Sequence, residues 1–397
     1  MTAFFLVLSL SFILVCGAGP AFSQNPAAPD FSFTFDSTGR ASANASSEQI
    51  LYGFDREFPP FSFEDARGRP TGFEVELVRA IAAQTGLNIV YRPLEWSRIQ
   101  PELSVGSIQM TTGLVKTQRR SIVFLFSDKP YFSAGLRIFV RQPDYVRDLS
   151  RLRGRIIGVE ENSFAGEILR EYPGLGMQPF TDKVSGLQSL YQQQIAGYLG
   201  IGPNVDWLLD QLRYTDIIPA GPPLRKLELW FATAPGTQAL MDKLQKGYDA
   251  VVRNGQYDQL YRSWFVEELT REERDQLVAE AYNILPMAYA PHSKQPSAAA
   301  VLCRGGILYA AASVEHENKQ HSISAVQAAV SRALTAGELE IRAIALVDAA
   351  GNVVVPPETD LDFLAEFGRG ILIALPPVNR ETAENTLTEL RPQPPVR

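Results

Sequence analysis

A chain of 397 residues, 45% hydrophobic and 20% charged, can bury more than one core, which excludes wholesale disorder and a single small domain. Its formal net charge of -7 gives no electrostatic reason to expect nucleic acid or an anionic membrane as partner. Cys16 and Cys303 are the only cysteines, so a thiolate cluster for a metal is excluded as well.

Residues 4–16 form an unbroken run of apolar and small residues, too short for a comfortable membrane span. Ala21-Phe22-Ser23 follows, with small residues at the two positions a signal peptidase reads. Residues 1–23 therefore read as a secretory signal. No Lys or Arg precedes Arg40, which leaves an uncleaved anchor open, and the bulk of Val15 argues against lipid modification of Cys16. With the signal removed, Cys303 is the sole thiol and no internal disulfide can form. Residues 24–47, rich in Ala, Asn, Pro and Ser, read as a flexible linker.

Order is expected from Ile50. Residues 51–54 predict a strand, 55–63 an aromatic loop whose prolines forbid regular pairing, and 72–86 a helix with Phe73, Leu77, Val78 and Ile81 on one face and Gly86 as a left-handed cap. A strand at 88–92 and a helix at 96–105 follow. The window 106–131 holds a small-residue turn at Thr111, Thr112 and Gly113, paired arginines at Arg119 and Arg120, and an aromatic strand. Small residues after a strand leave backbone N–H groups open, and an arginine nearby can fork onto a carboxylate or phosphate. Taken alone, the window reads more plainly as a solvated basic turn.

The alternation continues with a strand at 155–160, helices at 164–172 and 186–196, a strand at 198–201, a helix at 206–212, a strand at 227–232, and a long helical region at 237–265 jointed at Gly255. The class is α/β, as two lobes flanking a cleft. Three stretches in order, LYGFDREFPPFSFEDARGRPTGFEVELVRAIAAQTG, GLVKTQRRSIVFLFSDKPYFSAG and NGQYDQLYRSWF, resemble the family 3 extracellular solute-binding proteins of bacterial importers over about residues 48–266. The resemblance implies a two-lobed periplasmic-binding-protein type II fold that closes on a small solute, most often an amino acid. It also implies ligand-binding roles: Asp55 as first-loop acid, Phe58 as aromatic platform, Gly113 and Val115 as backbone donors to a solute carboxylate, Arg120 as its clamp, and Ser163 as a second-lobe donor. The family's second-lobe acid, which pairs with a solute ammonium, falls near Gly202, which has no side chain. A buried ammonium without a counter-charge is costly. The expected solute is therefore anionic at one end and aromatic or apolar at the other.

The last third reads as a separate unit: helix 272–285, a hairpin of strands 297–302 and 307–311 around Arg304-Gly305-Gly306, helix 322–334, strand 341–347, helix 359–367 and strand 371–375. AYAPHSKQPSAAAVL, ILYAAASVEHEN, SISAVQAAVSRAL and VPPETDLDFLAEF resemble, in order, the tetrameric cytidine deaminases. The resemblance implies a three-layer α/β/α domain over 267–380, followed by a Pro-rich tail at 381–397. That chemistry needs a zinc held by Cys or His and a glutamate two residues after the first ligand. The first-ligand position is Ser324, the glutamate position is Val326, and the Cys-x-x-Cys pair has become Pro357 and Asp360. No metal and no cofactor are expected, His321 is a poor substitute ligand, and Cys303 reads as packing. Glu315, with Ser313 in place of an asparagine, falls where that family holds the ribose.

The combined expectation is an exported periplasmic solute-binding protein for a carboxylate-bearing solute, serving a transporter permease or a sensor partner. Its deaminase-like domain is not an enzyme and acts in assembly, homo-oligomerisation included. A working nucleoside deaminase with an accessory binding domain, and a ligand-free signalling scaffold, are the alternatives.

Overall fold

The computed structural model describes residues 49–141, 149–338, 340–378 and 381–390. The expected signal peptide and linker, and residues 391–397, lie outside the described residues. Strand Gln49–Asp55 runs between Asn88–Leu94 and Met110–Val115 and parallel to both. In the second half, Ile156–Glu160 runs parallel to Gly176–Phe180 and Gly197–Ile201. Two long antiparallel strands, Phe132–Arg141 and Arg225–Thr233, join the halves. The first pairs with Gly197–Ile201 and the second with Met110–Val115, so one continuous sheet runs through both lobes. In such sheets the carboxyl ends of parallel strands face the crevice. Asp55, Val115 and Glu160 each end a strand there.

Helix Phe73–Thr85 buries Phe73, Leu77, Val78 and Ile81 and ends at Gly86, whose φ of 68° suits the left-handed cap. Helices Gln238–Arg253 and Gln256–Phe265 meet at Gly255, φ 79°, and pack back onto that helix.

Several expectations need correction. Thr111 to Gly113 lie inside strand Met110–Val115 and do not form a turn. The expected aromatic strand is short, Leu125–Phe126 pairing with Arg225–Thr233, and is preceded by helix Gln118–Val123, which the Thr117 side chain caps by accepting the Arg120 N–H. The 55–63 loop carries a small hairpin, Glu57–Phe58 with Ser62–Glu64, since its prolines fall in the turn and leave the ladder intact. The helix expected at 186–196 is Lys183–Tyr191, begun by Asp182 as N-cap. The helix expected at 206–212 starts at Gly202, with Pro203 in its first turn, where a missing N–H costs nothing.

The last third is a second sheet in the order Leu308–Ala312, Ala298–Cys303, Ile341–Val347, Leu372–Val378, Glu381–Thr386. Arg271–Ile284 covers one face, and Ala325–Thr335 with Glu358–Ala365 the other, giving three α/β/α layers. The tail expected from 381 is corrected: Glu381–Thr386 pairs with the neighbouring strand, and Leu387 enters the core. A capping box between Thr270 and Glu273 starts the first helix, and Arg342 donates to the same Glu273 at 2.5 Å, tying the sheet to the inter-domain connection.

This domain touches both lobes. Arg304 pairs with Asp206 of the second lobe at 2.9 Å, and Glu340 with Arg137 at 3.0 Å. On the first-lobe side, Arg262 pairs with Glu389 at 2.8 Å.

Candidate functional site

The cleft between the lobes is lined by Asp55, Phe58, Trp96, Gly113, Val115 and Arg120 from one side, and by Glu160, Ser163, Lys183 and Asn204 from the other. All six residues expected at the site are brought together. Their bonding differs from expectation at several of them.

Arg120 is buried. One guanidinium nitrogen, Nη1, donates to the Val115 carbonyl at 3.0 Å, and Nη2 reaches across the cleft to Glu167 Oε1 at 3.3 Å. Burial lowers its pKa and the Glu167 carboxylate opposes that. Glu167 is 43% exposed, so this pair lies at the rim and is screened by solvent.

The donors expected beside it are engaged within the protein. Gly113, held at φ 75°, gives its N–H to the Tyr131 hydroxyl at 2.8 Å. The Ser163 hydroxyl caps helix Phe164–Leu169 and donates to the Glu160 carbonyl at 2.7 Å, and the Ser163 N–H points to the same carbonyl at 3.3 Å. Phe58 is buried and stacks on Phe61 with ring centroids 4.5 Å apart.

Asp55 is not a free acid. Lys183, buried in the second lobe, donates to Asp55 Oδ2 at 3.1 Å, to Glu160 Oε1 at 2.6 Å and to the Glu57 carbonyl at 3.3 Å. Its ammonium also lies 5.4 Å from the centre of the Phe58 ring. Burial alone would lower the Lys183 pKa, but Asp55 and Glu160 more than offset it, so the amine is held charged. The Glu160 carboxyl is pushed up by burial and by Asp55, with Lys183 opposing. Asn204 adds a second link between the lobes, donating from Nδ2 to the Pro59 carbonyl at 2.5 Å.

Sequence reasoning missed Glu160, Lys183, Trp96 and Asn204. Two signals were available. Glu160 ends a parallel strand, and Lys183 puts a cation in the first turn of a helix, where the macrodipole disfavours it. The acid expected near Gly202 is absent, and a Cβ built there would meet Arg137 Cδ at 3.4 Å and the Gly135 carbonyl at 3.5 Å.

Behind Gly113 lies a closed polar network. Tyr52 and Thr112 share a hydrogen bond, Thr112 donates to Glu74 Oε2 at 2.6 Å, and Tyr131 donates to Glu74 Oε1. Burial raises the Glu74 pKa from 4.5 to about 7, against the Thr112 and Tyr131 hydrogen bonds.

In the C-terminal domain, Ser324 caps helix Ala325–Thr335 and its hydroxyl donates to Asp360 Oδ1 at 2.7 Å. Val326 is fully buried in the core, and Pro357 caps helix Glu358–Ala365. A hydroxyl, a proline and one carboxylate do not fit zinc. Among the described residues no three His, Cys, Asp or Glu side chains converge as a metal site. Glu315 accepts the His292 and Ser293 N–H groups at 2.8 and 3.0 Å. Cys303 is buried, its thiol pushed up to about 12 by burial.

The pH dependence of folding tests the Glu74 assignment. Because the folded value lies above 4.5, the folded chain holds the extra proton between pH 4.5 and about 7. Stability is therefore lost as pH rises through that window, by on the order of 3 kcal/mol from this group. Glu74→Gln is expected to gain about that much relative to wild type between pH 4.5 and pH 8 in urea unfolding. An unchanged difference between the two proteins across the window would refute the assignment.

A profile of the bacterial extracellular solute-binding proteins, family 3, matches residues 50–267. A profile of the cytidine and deoxycytidylate deaminase zinc-binding region matches residues 239–359. The helices shared by the two matches, Gln238–Arg253 and Gln256–Phe265, pack on the first lobe. The L-cystine-binding protein TcyJ of Escherichia coli is 25% identical over 230 residues, 56% of this chain and 84% of that protein. A solved ancestral arginine-binding protein bound to arginine is 26% identical at a TM-score of 0.52, covering 55% of this chain and 98% of its own. A histidine kinase sensor domain with similarity to periplasmic binding proteins, 24% identical at a TM-score of 0.53, covers 55% and 96% and shares the fold. With a two-lobed sheet, a cleft at its strand ends and a profile match over more than half its length, the chain belongs to the bacterial extracellular solute-binding proteins, family 3.

Proposed function

We propose that this is an exported, periplasmic solute-binding protein that closes on a small carboxylate-bearing solute and hands it to a transporter permease or reports it to a sensor. One observation carries the reading: a buried guanidinium, Arg120, lines a cleft between two lobes and, among the described residues, is paired there with a half-exposed carboxylate, Glu167. A solute carboxylate that displaces Glu167 receives a fork of parallel N–H bonds in a water-poor site. Binding by L-cystine- and arginine-binding relatives, and the sensor-domain fold, support the class. The C-terminal domain works without deaminase chemistry, since its ligand positions are Ser324, Pro357 and Asp360, and its proton-shuttle position is Val326. It serves assembly: Met287, Tyr289, Val314 and Ile323 are exposed, the last three linked by β-bridges into one apolar strip.

Thermal-shift screening of the full chain against carboxylates, amino acids and nucleosides tests the binding role. A solute at 100-fold its Kd stabilises by about 2.7 kcal/mol, and Arg120→Ala is expected to abolish the shift. A shift that survives Arg120→Ala would remove Arg120 from the site. Elemental analysis of the purified chain is expected to give zinc well below one equivalent, with no ammonia released from cytidine. One zinc per chain together with turnover would restore the enzyme reading. Sedimentation analysis is expected to show an oligomer that Val314→Asp dissociates, and a wild-type monomer would retire the assembly role.

A further inference from the structure

Both carboxylates of the cleft hold the Lys183 ammonium, while one buried donor of its wall has no partner among the described residues. Asp55 uses Oδ1 for the Glu57 N–H at 2.9 Å and Oδ2 for Lys183, and Glu160 Oε1 also takes Lys183. The donors are different. Arg120 spends one N–H on a carbonyl and one on the rim carboxylate, and the Trp96 indole N–H, on the cleft wall, is buried with no partner among the described residues. Such a lining recognises a ligand rich in acceptors. An α-amino acid entering it would bring an ammonium to a place where both carboxylates already hold one, and would set like charges side by side. The neighbourhood of Gly202 offers no relief, because a glycine brings no carboxylate there.

We infer that Lys183 determines the specificity of the cleft: its ammonium, held between Asp55 and Glu160 over the Phe58 ring, occupies the subsite that would receive a solute ammonium. The solute is accordingly a carboxylate without an α-amino group, its aromatic or apolar body lying near Phe58 and Trp96. This rests on the solute-binding reading given above. Removing the amine would turn Asp55 and Glu160 into an empty cation subsite and should convert the protein into an amino-acid binder.

Isothermal titration of the full chain with matched pairs that differ only by the α-ammonium tests this: 3-phenylpropionate against L-phenylalanine, and pentanoate against L-norvaline. The wild type is expected to bind the carboxylate of a pair at least tenfold tighter than the amino acid. Lys183→Met should invert that preference, and Lys183→Arg should retain it. Equal or tighter binding of the amino acid by the wild type overturns the proposal, as does an unchanged ratio in Lys183→Met. If Lys183→Met does not fold, the wild-type ratio decides alone. Binding without preference removes only the role of Lys183. Failure of the wild type and both variants to bind any of the four probes sinks the solute-binding reading and this inference together.

Discussion

An ammonium taken out of water loses solvation worth several kcal/mol, and only well-placed carboxylates and dipoles restore it. Lys183 recovers it from both sides of the hinge: Glu160 comes from its own lobe, and Asp55 with the Glu57 carbonyl from the other. The contact bridges the two lobes and holds them together. Breaking one member of such a buried set typically costs 3–5 kcal/mol, because the remaining charges are left uncompensated. Arg120 and Glu167 make a second bridge of a different kind. One partner is half-exposed, so that pair contributes little. One cleft thus holds a buried charge set and a half-exposed rim pair.

The C-terminal domain adds a constraint on the same hinge. It is fixed to the first lobe through Arg262 and Glu389, and to the second through Arg304 with Asp206 and Glu340 with Arg137. Asp206 is largely buried, and burial raises its pKa to about 7 against the pull of Arg304. Any movement that swings the lobes apart must either carry this domain with one of them or break one of the two ion-pair sets. Solvent-exposed pairs would offer little resistance, whereas the partial burial of Arg137 and Asp206 makes these more than surface decoration.

Much of the fold was legible in the sequence because it is written in periodicity. The helix Phe73–Thr85 shows its buried face and its glycine cap in the chain itself, and Gly255 marks the joint between two helices. The errors came where local residues serve tertiary pairing. Thr111 to Gly113 look like a turn, yet they form the middle of a strand whose neighbour, Arg225–Thr233, is more than a hundred residues away. At the site, Arg120 and Phe58 were found by motif, but Lys183 was not, because a lysine after an Asp N-cap reads as a solvated helix start. Nothing in its neighbours says that Asp55, 128 positions earlier, will meet it. Charge pairs of that separation are set by the closed arrangement of two lobes, and composition and spacing carry no trace of it.

In the C-terminal domain, the positions that the deaminase resemblance assigns to the metal lie at the starts of two helices that are tied together by side chains. Here Ser324 caps its own helix, accepting the Gln327 N–H, and turns its hydroxyl proton to Asp360 on the other. Burial raises the Asp360 pKa and the Ser324 hydrogen bond opposes it, so one hydroxyl serves both elements. Val326, fully buried, adds packing where the deaminase resemblance expects a carboxylate. Capping, hydrogen bonding and apolar burial together join the two helices at this place.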